Sequence, residues 1–253
     1  MIGFGTWDIR GEAGKQSILT ALDLGYRLID TAQMYENEYI VGCAVKESGI
    51  PREELFLTTK IYRPNTTYQK AKSGIEQSLN ELQTDYIDLL LIHEPYKSAP
   101  EMYEAFKEAL RDGKVRAIGI SNFDAEKYKQ FVQSCEIIPA VNQVESHVYF
   151  PQLELKNLLN SYGTQMQSWA SFTEGRKNIF AEPVLKEIGA RHGKTSGQIA
   201  LRYLIQNGIA VIPKSAHRER MAENLAVLDF ALTPSELSAI SRLNGNTSLF
   251  GWY

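Results

Sequence analysis

The sequence holds only two cysteines in 253 residues, Cys43 and Cys135, and neither belongs to a CxxC pair or a Cys/His cluster. That leaves no disulfide framework and no metal-ligand spacing, so both read as reduced thiols packed in helices, and no metal site is expected. Long apolar runs are missing too. The longest, such as Leu89 to Ile92, fall far short of a membrane span, and the first residues show no charged head before an apolar signal core. Neither sign of charge is in excess: 27 Lys and Arg against 30 Asp and Glu give a net -3, with the cations scattered. Nucleic acid and membrane are therefore poor candidates as partners, and the expected location is the cytoplasm. No linker rich in Pro, Gly or Ser divides the chain. The dinucleotide fingerprint GxGxxG is present only as the fragment Gly3-Phe4-Gly5, followed by Thr6-Trp7.

What is present is a repeated alternation. Eight β-branched or apolar runs recur along the chain: IGFGTW, RLIDTA, LFLTTK, YIDLLLIH, VRAIGIS, PAVNQVE, TQMQSWA and IAVIPK. Between them lie segments of helical spacing, such as Ala71, Ile75, Leu79 and Leu82, or Met102, Phe106, Ala109 and Leu110. Helix starts are expected at Pro51 to Glu54, at Asn122 to Asp124, and at Thr233-Pro234-Ser235-Glu236. Helix stops are expected at Gly25, Gly49, Gly113 and Gly208. Eight βα units in a chain of this length predict an α/β fold, a single (β/α)8 TIM barrel spanning residues 1–253. A doubly wound sheet fits less well, because it would show fewer strands and the full glycine fingerprint.

The last residues of these strands are Trp7, Asp30, Lys60, His93, Ser121-Asn122, Gln143 with Glu145, Trp169 and Lys214-Ser215. Buried parallel strands are nearly continuously apolar, so charges at their ends must be paired or must serve a ligand. Asp30 and Lys60 fall on adjacent strands, Tyr35 follows Asp30 by five residues, and His93 lies one strand further on. A tyrosine, with its reference pKa of about 10, is a poor acid until an ammonium favours the phenolate. Lys60 is expected to lower that value, Asp30 to keep Lys60 charged, and His93 to act as a second donor or an orienting group. Such a set suits delivery of one proton to an oxygen, and carbonyl reduction is the obvious reaction. Taken singly, each residue also reads as half of a structural ion pair or as a core histidine. A barrel lyase using Lys60 as a Schiff base is an alternative from the same residues.

The motifs GFGTW, DxGYRxIDTAxxYxNE from Asp23 to Glu38, LTTK, LQTDYIDLLLIHEP, GKVRAIGISNF, NQVE and IPKS closely resemble those of the aldo-keto reductases. The resemblance is to small prokaryotic-type members similar to 2,5-diketo-D-gluconate reductase-like enzymes. It implies a catalytic tetrad of Asp30, Tyr35, Lys60 and His93, with Tyr35 as proton donor. It places Ser121, Asn122 and Gln143 on the nicotinamide carboxamide, Trp169 against its ring, and Ser171 and Phe172 along the pyrophosphate. It places Lys214, Ser215 and Arg220 on the adenosine 2′-phosphate, and Glu223 and Asn224 on adenine. Two cations meeting one phosphate imply NADPH (NADP+) in preference to NADH. Trp7, Tyr62, Glu94 and Trp252 are the expected substrate-pocket residues, Tyr62 and Glu94 standing where many relatives carry tryptophan. A carboxylate at Glu94 is expected to disfavour anionic substrates, with a solvated rim position as the alternative. The usual N-terminal hairpin and C-terminal specificity loop are expected to be missing or short. The expected partner is a small-molecule carbonyl and the expected state a monomer. A nicotinamide-nucleotide-binding redox sensor with little turnover is the functional alternative.

Overall fold

The computed structural model describes residues 1–251, so Trp252, one of the expected pocket residues, lies outside the described residues. Eight parallel strands follow one another in chain order around a single sheet: β1 (Phe4–Gly5), β2 (Leu28–Asp30), β3 (Phe56–Ile61), β4 (Leu89–Ile92), β5 (Ile118–Ser121), β6 (Val141–Glu145), β7 (Gln165–Trp169) and β8 (Ala210–Val211). A parallel bridge between Ile2 and Val211 joins the last strand to the first, and the Gly3 amide donates to the Val211 carbonyl at 2.8 Å. This is the (β/α)8 barrel that the eight runs predict. Gly5 makes the closure possible: a Cβ there would stand 2.6 Å from the Ile212 carbonyl oxygen, closer than backbone tolerates.

The helices are α1 (Gly11–Asp23), α2 (Glu38–Glu47), α3 (Tyr68–Leu82), α4 (Ala99–Arg111), α5 (Ala125–Gln133), α6 (Leu153–Ser161), α7 (Pro183–His192), α8 (Ser196–Gln206), α9 (Arg218–Leu225) and α10 (Pro234–Ser241). Their apolar stripes face the strands: Ala71, Ile75, Leu79 and Leu82 of α3 and Met102, Phe106 and Ala109 of α4 are all buried. Burying side chains of this size is worth roughly 1.5–3 kcal/mol each. Thr233 and Glu236 close a reciprocal capping box at the start of α10, and the Asp124 carboxylate caps α5. Pro51 to Glu54 does not start an α-helix. Residues 52–54 make one 3₁₀ turn and β3 begins at Phe56, which leaves no length for a second turn. Arg52 instead ties the turn to Asp88 at 2.7 Å and to the carbonyls of Leu55 and Tyr86. Likewise β1 ends at Gly5, so Trp7 lies beyond the strand. Among the described residues no helix is long and apolar enough to cross a membrane.

Candidate active site

At the C-terminal ends of the strands a cavity of about 540 Å³ opens, lined by residues of β1, β2, β5, β6 and β7, by residues that follow β1, β2, β4, β5, β7 and β8, and by Phe250. A barrel displays its functional side chains at this face. Lys60, on β3, is fully buried, and its Nζ donates to Asp30 Oδ1 at 2.5 Å, to the Thr31 carbonyl at 3.0 Å and to Tyr35 Oη at 3.2 Å. Those three bonds use all three ammonium hydrogens. The second Asp30 oxygen accepts from Gln143 Nε2 at 2.7 Å. Both oxygens thus face donors, as a carboxylate requires. Burial pushes the Asp30 carboxyl up while Lys60 and Gln143 pull it back; for Lys60, burial works downward but Asp30 and Tyr35 hold the ammonium above its ordinary value. The geometry therefore holds a buried ion pair.

Tyr35 ends a short 3₁₀ turn over residues 33–35, which swings it from the β2 end onto Lys60. Its phenol lies above its usual pKa, because burial outweighs the opposing pull of Lys60, with Asp30 and Glu174 adding to the rise. The expectation that Lys60 sets the net direction is thus corrected: Lys60 limits a rise that burial causes. The Tyr35 ring packs edge-on against Trp7, with centroids 5.0 Å apart, and against His93 at 5.8 Å. His93 is buried, its Nδ1 has no hydrogen-bond partner, and burial followed by the Lys60 charge lowers its pKa to about 3. The imidazole is therefore neutral, offering one N–H and one acceptor.

A second layer crosses the cavity floor. Ser121 Oγ donates to the Gln143 carbonyl at 2.8 Å, Asn122 Nδ2 to the His93 carbonyl at 3.1 Å, and Trp169 Nε1 to Asn122 Oδ1 at 2.8 Å. Gln143 Nε2 also reaches Gln167 Oε1 at 2.7 Å, and Gln143 Oε1 accepts nothing from the described residues. Ser171, Phe172 and Lys214 lie on the wall beyond Trp169. Ser215, Arg220, Glu223 and Asn224 do not. Ser215 Oγ accepts from the His217 amide ahead of α9, Arg220 is exposed on α9, Glu223 binds the Thr195 hydroxyl, and Asn224 is buried beside Tyr26.

The expected substrate residues divide in the same way. Trp7 lines the cavity, whereas Tyr62 and Glu94 do not. Tyr62 packs edge-on against His93 at 5.5 Å, and Glu94 is paired with Arg63 at 3.1 Å. Several lining residues have no place in the sequence reading of the pocket, among them Asp8, Met34, Glu174 and Phe250. Glu174 stands in the loop after β7, a position that the barrel rule alone marks for attention. Phe250 gave no signal, because nothing local says where a chain end returns. It packs on Trp169 with centroids 4.9 Å apart, its stretch held by buried Glu145, which accepts from Ser248 Oγ at 2.5 Å and the Leu249 amide at 2.8 Å. Arg176 lies over the Phe250 ring at 4.2 Å and donates to the Leu249 carbonyl at 3.0 Å.

Known proteins share this sequence pattern and fold. Residues 1–245 match the profile of the aldo/keto reductase family. The glyoxal reductase of Bacillus subtilis (strain 168) is 38% identical over 244 residues, covering 96% of this chain and 88% of that protein. An aldo-keto reductase from a Medee basin deep-sea metagenome library superposes with a TM-score of 0.95 at 38% identity, covering 98% of this chain and 92% of the other. The Bombyx mori aldo-keto reductase, solved in complex with NADP, gives 0.91 at 31% identity over 98% of this chain and 90% of its own. With the family's profile matched along almost the whole length and its strand-end residues gathered at one cavity, this chain belongs to the aldo/keto reductase family, oxidoreductases acting on carbonyl groups.

Proposed function

We propose that the protein reduces an aldehyde or ketone to an alcohol with NADPH, and that Tyr35 delivers the proton to the carbonyl oxygen. The observation that carries this reading is the buried Lys60, which donates to Asp30 and Tyr35 at once beneath an open cavity. Burial keeps the Tyr35 phenol protonated until it is needed. When the proton leaves, the phenolate forms beside an ammonium already in hydrogen-bond contact, so the charge is neutralised where it appears. Asp30 holds that ammonium in place and charged. Neutral His93 supplies a donor that orients the carbonyl oxygen without competing as an acid.

The wall beside these residues fits a nicotinamide cofactor. Trp169 offers an aromatic face, Gln143 and Ser121 keep acceptor capacity for a carboxamide, and Lys214 gives the wall an exposed cation for a phosphate. Bound there, NADPH would supply the hydride. Arg220 on α9 would reach the 2′-phosphate together with Lys214, and Glu223 and Asn224 would border the adenine. A cavity of about 540 Å³ lies in the range of small-ligand sites. The test is to mix the protein with NADPH and a panel of small aldehydes and ketones while following cofactor absorbance. Oxidation that depends on the carbonyl is expected; tight NADPH binding with no oxidation would favour a redox sensor, and a borohydride-trapped lysine adduct would favour a lyase.

A further inference from the structure

We infer that this cavity selects uncharged carbonyl compounds over those carrying a carboxylate, with Glu174 as the specificity-determining residue; the inference rests on the proposed reduction at this same site. The charged side chains on the wall, among the described residues, are Asp8, Asp30, Glu174 and Lys214. Asp30 is spent on Lys60, and Lys214 is the cation assigned to the cofactor. What then faces an incoming substrate is negative.

Most of the nearby cations are already engaged. Lys60 is fully buried and all its hydrogens are used. Arg63 is paired with Glu94 at 3.1 Å and Arg10 with Glu36 at 3.6 Å. Arg176 donates to the Leu249 carbonyl and covers Phe250. His93 is neutral. Glu174 forms no ion pair among the described residues; partial burial raises its carboxyl above the ordinary value, and Arg176 stands close enough to pull it back. Its backbone is left-handed, at φ 46°, beside Thr173 at φ 63°, and Thr173 Oγ1 pins the loop by donating to the Lys177 carbonyl at 2.8 Å. The loop thus sets Glu174 at the wall, close enough for its charge to raise the Tyr35 phenol across the cavity. This is the discrimination expected of Glu94, moved to the residue that lines the space.

The probes are para-formylbenzoate and its methyl ester, compared as kcat/KM with NADPH at about pH 8. The wild-type protein is expected to prefer the ester by about tenfold or more, the scale of one or two unneutralised like charges near a protein surface. Glu174→Gln should close at least about fivefold of that gap, chiefly through a lower KM for the anion, and Asp8→Asn should close less. Comparing variant with wild type cancels the intrinsic reactivity of the two aldehydes. An NADPH Kd within about twofold of wild type shows that the variant is folded with its cofactor site intact, so that a narrowed gap reports on the substrate. A gap unchanged in Glu174→Gln, or a changed NADPH Kd with an unchanged gap, overturns the inference. Failure to oxidise NADPH with either aldehyde overturns the proposed reduction instead.

Discussion

Beneath Tyr35 the charges of Lys60 and Asp30 are paired with each other, whereas at the Lys214 end the cations stand exposed. Lys60 and Asp30 are buried, 2.5 Å apart, and fastened further by Gln143 and the Thr31 carbonyl. Lys214 and Arg220 are exposed and form no ion pair among the described residues. The first end carries a desolvation cost within the fold and is rigid before any ligand arrives. The second leaves its charges in water, where they cost little. On the proposed mechanism, the groups that take part in bond making are positioned in advance and those that hold the cofactor are left solvated.

The difference predicts unequal responses to mutation. Lys60→Met should be the most damaging to the fold, because it strands the Asp30 carboxylate in the interior; a loss of about 3–5 kcal/mol is expected by chemical denaturation. Adding Asp30→Asn to Lys60→Met should recover part of it. If Lys60→Met unfolds no more easily than wild type, the contrast between the ends fails. At the other end Arg220→Ala should leave stability within about 0.5 kcal/mol while weakening NADPH by about 10- to 100-fold and NADH far less. Equal losses with both cofactors in a binding titration would contradict a 2′-phosphate role.

A pH series separates the ends again, on a smaller scale. The His93 pKa is lowered to about 3 in the fold, by burial and then by Lys60, against about 6.5 in an unfolded chain. Between those values the unfolded state binds a proton that the folded state does not, so this contribution is present above about pH 6.5 and is lost as pH falls. The slope is about 1.4 kcal/mol per pH unit from this residue alone, and His93→Gln should flatten it in denaturation curves taken across the range. Smallest in its effect on turnover should be Ser248→Ala, which removes the bond to Glu145 and those that Ser248 Oγ accepts from the Phe250 and Gly251 amides: roughly 1–3 kcal/mol of stability, with a modest rise in carbonyl KM as Phe250 loosens from Trp169.

The barrel and the cluster of Asp30, Tyr35, Lys60 and His93 were legible because each strand marks its own end and the barrel rule brings those ends together. Each strand announces itself by an apolar run, and a charged residue at its end breaks that run where a barrel keeps its ligands. What escaped depends on side chains meeting from distant parts of the chain. Glu94 looks like a pocket residue in sequence, but Arg63, 31 positions earlier, takes its carboxylate. Glu174 owes its place to left-handed backbone at Thr173 and Glu174, which no periodicity encodes. The direction of the Tyr35 shift is set by burial, a property of the packed molecule, and reading charge alone gives the wrong sign.

Tyr35→Phe tests the separation of the two ends most directly, since it removes one hydroxyl and little else. Turnover of a carbonyl and NADPH Kd are to be measured on the same preparation. The account predicts a fall in kcat of about 10²–10⁴, the range of general acid catalysis, with an NADPH Kd close to wild type. Turnover retained, or NADPH binding lost together with activity, would contradict Tyr35 as the proton donor.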